Sequence, residues 1–190
     1  MEIFDEDIKN ALRVLKEGGV ILYPTDTIWG IGCDATNEKA VKRVFEIKQR
    51  EDTKSMLVLL ENPNFILSYI DEMPDVAWDL IDYSVKPTTI IYDKAKNLAK
   101  NLIAEDGSIG IRITNEAFTS KLLQRFRKPL VSTSANISGQ ASPENFSEIS
   151  EEIKQKVDYI VKYRQDENSS PAPSSIIKLG VSGLIKIIRE

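Results

Sequence analysis

Two features of this 190-residue sequence have the residue types and spacing to do chemistry. The first is Lys48, Arg50 and Lys54, three cations within seven residues. Such a set suits a phosphate clamp, with the guanidinium gripping two oxygens and the lysines acting as point charges. Lys48 and Arg50 would equally suit the negative end of a helix, or pairing with Glu46, Glu51 and Asp52. The second is "STSANISG" (132–139), where the apolar "PLV" gives way to hydroxyls, a carboxamide and a glycine. Side chain-to-backbone turn bonds can use about half of these polar groups. The remainder, with backbone N–H groups near Gly139, suits an anion or a purine edge. A third stretch, "YPTDTIWGIG" (23–32), reads either as a strand-ending turn or as a site. As a site it would offer the Thr25 and Thr27 hydroxyls beside an apolar Trp29 wall, although tryptophan is by type a core residue.

Composition removes several chemistries. The chain has no histidine and a single cysteine, Cys33. Ser-His-Asp and Cys-His catalysis and the usual zinc sites are therefore excluded. Neither a GxxxxGK[ST] phosphate loop nor a GxGxxG fingerprint occurs. The net charge of −4 argues against a module whose main task is gripping nucleic acid. At 42% hydrophobic and 28% charged residues, the composition is that of an ordinary globular protein. No apolar run reaches membrane-spanning length and "MEIFDEDIKNAL" is not a signal pattern. The expected location is cytoplasmic, with Cys33 a buried thiol.

Interleaved helices and strands must position these residues. Asp5 is expected to cap a helix carrying Ile8, Ala11, Leu12 and Leu15, ending at Gly18-Gly19. Asn37 caps a second helix that runs out near Lys48-Gln49-Arg50. Asn62-Pro63 starts a third, with further helices across 75–83, from a cap at Asn115, and around 147–157. Strands are expected at 20–23, 56–60, 88–92, 108–113, 129–133 and 159–161, followed by a hairpin in "SSIIKLGVSGLIKIIR". The expected class is α/β, one domain over 1–190: a twisted open mixed sheet flanked by helices. Most polar clusters fall at strand ends, so ligands are expected in a crevice beyond the carboxyl ends of the strands. The stretch 164–175 reads as a mobile loop over such a site.

In order along the chain, "YPTDTIWGIG", Lys48-x-Arg50 with Lys54, "KPTTII" (86–91), "GSIGIRI" (107–113), "STSANISG", "PSSII" (173–177) and "IIR" (187–189) resemble the YrdC-like domain. This is the family of L-threonylcarbamoyladenylate synthases. The resemblance implies a cavity that binds ATP and L-threonine, and a reaction joining them with bicarbonate into threonylcarbamoyl-AMP and pyrophosphate. Magnesium would accompany ATP. Partner enzymes would pass the group to the adenosine beside the anticodon of tRNAs, with at most a weak tRNA contact here.

Carried onto this sequence, the resemblance makes Lys48 and Arg50 catalytic. Arg50, Lys54, Ser108, Ser134, Asn136, Ser142 and Arg189 would bind ATP. Thr27, Arg112, Ser132 and Ser174 would bind threonine. Two departures from the family pattern stand out: Trp29 replaces a usual phenol, and Lys86 stands where glycine commonly precedes the proline. An RNA-binding or ribosome-maturation role is the alternative within the family. A carbamoyl-phosphate-handling domain is disfavoured, because the acylphosphatase and zinc-finger segments that accompany it are missing.

Overall fold

Ile8, Ala11, Val14 and Leu15 repeat at helical spacing and form the buried stripe of α1 (Asp5–Lys16) in a computed structural model describing residues 4–50, 56–168, 172–180 and 183–190. Phe4, not Asp5, is its N-cap. Asp5 lies in the first turn, where a carboxylate complements the positive end of the helix, 3.4 Å from Lys121 Nζ. The helix stops where Gly18 adopts a φ of 80°.

Among the described residues nine strands form one sheet: β1 (Ile21–Tyr23), β2 (Gly30–Gly32), β3 (Leu57–Leu60), β4 (Thr88–Tyr92), β5 (Ile109–Ile113), β6 (Leu130–Ser134), β7 (Tyr159–Ile160), β8 (Ser175–Leu179) and β9 (Ile185–Arg189). Their order is β7-β1-β2-β6-β3-β5-β4-β8-β9. Pairs β1·β7, β3·β5 and β4·β8 are parallel and the others antiparallel, so the sheet is mixed. The last two strands form the expected hairpin. Strand β2 was not anticipated, because a three-residue strand with two glycines carries almost no propensity signal. Gly32 is needed there for space: a Cβ would stand 2.4 Å from the Val131 carbonyl oxygen.

The remaining helices are α2 (Glu38–Lys48), α3 (Val76–Tyr83), α4 (Ala117–Phe126) and α5 (Glu151–Lys156). Asn37 caps α2 as expected, accepting from Lys39 N and Ala40 N; such a cap is worth about 1 kcal/mol. Pro63–Ser68 is a 3-10 helix with Asn62 as its cap. For α4 the cap is Glu116 rather than Asn115, its carboxylate accepting from Thr119 N at 2.8 Å. The helix expected over 147–157 is split by Ile149 into a 3-10 turn (Phe146–Glu148) and α5, which Ser150 caps.

Strand alternation divides the core. Leu22, Ile31, Val58, Leu60, Ile90, Tyr92, Ile109, Ile111 and Val131 point to one face and pack with α2, α3 and α5. Ile21, Tyr23, Leu59 and Leu130 point to the other, where α1 and α4 cover them. That cover stops partway across the sheet. The uncovered half of the face is where the site lies.

Candidate functional site

On that bare half-face is a cavity of about 410 Å3. Strand register explains its floor. Ser132 pairs with Leu57, Leu57 with Gly110, and Gly110 with Ile91. One step along, Arg112 pairs with Thr89, Thr89 with Ile176, and Ile176 with Arg189. All eight residues line the cavity. Several are small, and room remains above them because no helix of the described residues packs there. A Cβ on Gly110 would come within 3.2 Å of Thr89 Cγ2, so glycine keeps the floor low. The expected crevice beyond the strand ends is thus corrected: the cavity lies across the middle of the strands.

Eight of the residues singled out in the sequence converge on this cavity: Thr27, Arg50, Arg112, Ser132, Ser134, Ser142, Ser174 and Arg189. Thr27 comes from the turn after β1, which Thr25 stabilises by accepting from Thr27 N (3.0 Å) and donating to the Ile28 carbonyl (2.7 Å). Trp29 serves both suggested roles, being 6% exposed in the core and also forming a cavity wall against Phe146. The Ser174 hydroxyl lies 2.9 Å from Thr89 Oγ1, and Arg189 donates to the Ser174 carbonyl through Nε and Nη2. The final hairpin is thereby tied to the cavity rim.

Arg112 is the buried charge of the floor, 3% exposed. Its Nη2 lies 2.9 Å from Asp26 Oδ1, and its buried Nε has no partner among the described residues. Burial pushes the Asp26 carboxyl up, opposed chiefly by the Arg112 guanidinium. Among the described residues no carboxylate lines the cavity, while Arg50, Arg112 and Arg189 all do. Burial lowers the pKa of Arg50, and burial with the nearby Arg112 charge lowers that of Arg189. Guanidinium groups crowded this way favour an anionic ligand.

Lys48 is not among the lining residues. Gln49 takes a left-handed φ of 50° at the end of α2, so Lys48 and Arg50 leave the helix in different directions. Arg50 reaches the cavity. The Lys48 ammonium instead donates to the carbonyls of Ser134 (2.6 Å) and Asn136 (2.8 Å), and Ser138 N returns a bond to the Lys48 carbonyl. Asn136 supports the same loop, donating to the Ile137 and Gln140 carbonyls. Both therefore shape "STSANISG" rather than line the cavity. Ser108 also lies outside the lining, donating to Asp106 Oδ1 at 2.6 Å. Lys54 falls outside the described residues, as do 169–171 of the 164–175 stretch.

Sequence reasoning missed two supports. Asp26 was passed over as a turn residue, and its pairing depends on Arg112, 86 positions away. Arg164 donates to the Thr25 carbonyl (3.0 Å) and lies 3.6 Å from Glu116 Oε1, holding the turn that carries Thr27. Neither link has a sequence signal.

Magnesium finds no protein-held site among the described residues. No group of three or more His, Cys, Asp or Glu residues able to hold a metal occurs among the described residues, and the polar side chains these residues bring to the cavity are mainly hydroxyls and guanidinium groups.

Comparison with known proteins decides the family. The Sua5/YciO/YrdC model, described as "Telomere recombination", matches residues 13–190. The chain belongs to the Sua5/YciO/YrdC family. Within it, the threonylcarbamoyl-AMP synthase of Pseudoalteromonas translucida is 35% identical over 181 residues, covering 94% of this chain and 95% of that protein. E. coli YciO shares the fold with a TM-score of 0.84 at 24% identity, over 97% of this chain and 89% of its own. P. abyssi Sua5 complexed with L-threonine superposes with a TM-score of 0.83 at 24% identity. That match covers 94% of this chain but 52% of the Sua5 chain, so this chain spans about half of that structure. The single α/β domain and mixed open sheet expected from the sequence are those of the family.

Proposed function

We infer that this chain is a threonylcarbamoyl-AMP synthase, a nucleotidyltransferase of tRNA modification that uses ATP and threonine. One observation carries the reading beyond kinship: a hydroxyl-rich cavity that the described residues line with three guanidinium groups and no carboxylate, on a chain without histidine. Such a cavity can bring two anions together, and the chain has no histidine to act as a general base.

The chemistry asks for little more. The threonine amine and bicarbonate form a carbamate with loss of water. A carbamate oxygen then attacks the α-phosphorus of ATP, the α–β bond breaks, and pyrophosphate leaves with the electron pair. The attacking oxygen is already anionic, so no protein base is required. Arg50 stabilises the departing pyrophosphate, and Arg189 with Ser142 borders the nucleotide. Arg112 takes the threonine carboxylate through Nε, which has no partner among the described residues, while Nη2 stays with Asp26. Thr27, Ser132 and Ser174 surround the amino acid, and Ser134 meets the nucleotide. Lys48 and Asn136 act through the loop they hold. Magnesium enters with the ATP phosphates, and no step is assigned to it.

Bicarbonate as third substrate, transfer to tRNA by partner enzymes and a cytoplasmic location complete the proposal. Among the described residues no helix is long and apolar enough to cross a membrane. The decisive experiment incubates the protein with ATP, L-threonine and bicarbonate. Pyrophosphate and the mixed anhydride are expected by mass spectrometry only when all three are present. Threonine-independent ATP cleavage would overturn the reading.

A further inference from the structure

A second cavity, of about 280 Å3, lies on the opposite face of the same two strands. Its floor is Ile90, Ile111 and Ile113, which alternate with Thr89, Gly110 and Arg112 of the first cavity. Leu80 and Ile81 of α3 form a wall. Tyr92 also lines it, and the buried Tyr92 hydroxyl has no partner among the described residues. A buried polar group left in this state costs about 1–3 kcal/mol, so it calls for an explanation.

The charged residues of the lining are of both signs. Asp26 and Glu116 contribute carboxylates, and exposed Lys86 contributes an ammonium. The remaining polar lining residues are Ser84, Thr88 and Asn115. Lys86 is one of the positions where this sequence leaves the family pattern, and the synthase reaction gives it no task.

We propose that this cavity binds an apolar L-α-amino acid as its zwitterion, the ammonium toward Asp26 and Glu116, the carboxylate toward Lys86, and the side chain over the isoleucine floor. The size fits a single amino acid, being just below the range of about 300–1,000 Å3 typical of drug-sized ligands. A bare amine would leave Lys86 unused, and a bare carboxylic acid would face two carboxylates. Threonine is a poor occupant, because its hydroxyl would sit against isoleucine methyls and lose its hydrogen bonds. Asp26 belongs to both cavities through Arg112, so the occupant would sit one residue from the substrate site.

The test reads binding and does not depend on synthase activity. L-phenylalanine is titrated into the full chain while isoleucine methyl resonances are followed by NMR. The Ile90 and Ile111 methyls are expected to shift, with a Kd on the order of 1 mM or tighter. Phenethylamine and 3-phenylpropionate, each lacking one charge, are expected to bind at least ~10-fold more weakly. Ser84→Trp and Lys86→Glu alter exposed positions, so the variants should fold, and each is expected to weaken phenylalanine by at least ~10-fold. Three results would overturn the proposal: no shift of these methyls at tens of millimolar phenylalanine, shifts confined to Ile91 and Ile176 on the opposite face, or unchanged affinity in both variants.

Discussion

The ammonium of Lys48 and the carbonyl oxygen of Ser134 are 2.6 Å apart, joining the end of α2 to the end of β6. A cation that the family resemblance makes catalytic is used here to hold backbone. Its pKa is lowered to about 8 by burial and by the neighbouring Arg50 charge. The proton leaves as pH rises through about 8, and the loop then loses its charged anchor. ATP affinity should therefore fall between about pH 7 and pH 9.5. Stability should move the other way: above about pH 8 the folded lysine has lost the proton that the unfolded one still holds, so the Lys48 contribution rises with pH from there. Both trends should vanish in Lys48→Met, as followed by ATP titration and thermal melts across the range.

Arg50 carries the electrostatic part of the proposed mechanism. Arg50→Ala should lower threonine-dependent pyrophosphate release by at least ~10-fold, the scale of losing a charge contact made in the transition state. Its melting temperature should change little, because the guanidinium borders a cavity. Unchanged turnover in the folded variant would remove Arg50 from the reaction.

Arg112 is buried and pairs with the partly buried Asp26, so removing the carboxylate strands the guanidinium. Asp26→Ala should cost about 3 kcal/mol of stability and raise KM for threonine more than it lowers kcat. Denaturant unfolding and steady-state kinetics separate the two effects. Wild-type stability in Asp26→Ala would show the pair to be dispensable for the fold.

Gly32 tests the backbone geometry independently of any ligand. A Cβ there meets the Val131 carbonyl oxygen at 2.4 Å and Tyr23 Cε1 at 2.6 Å. Gly32→Ala should destabilise by roughly 2 kcal/mol, since β1, β2 and β6 must all shift. Gly139→Ala has no neighbour within 4 Å but sits at a φ of 85°, so its cost of about 1 kcal/mol should be purely conformational. Equal losses in the two variants would sink the packing argument.

The parts of this molecule that the sequence exposes are those with local causes. Asn37 and Asn62 cap helices because the carboxamide bonds its own neighbourhood, and β4 falls where "TTIIY" puts β-formers together. Eight of the twelve site candidates meet in one cavity because motif order along the chain reflects the fold of the family. What stayed hidden depends on distant partners. Asp26 looks like any turn aspartate until Arg112 arrives beneath it, and Lys48 looks like a free cation until the 134–136 carbonyls close over it. Asn115 and Glu116 could each cap α4, and the Thr119 contact decides in favour of the glutamate. The face on which the cavity lies follows from where α1 and α4 end, which no short motif records.

The floor of paired residues also makes catalytic competence hostage to alignment. Displacing β5 by a single position against β3 and β4 would turn Arg112 and Gly110 toward α2 and bring Ile111 up in their place. A misaligned molecule of that kind could keep nearly all its helices and still be inert. Enzyme quality in a preparation would then track correct strand matching more closely than it tracks helical content.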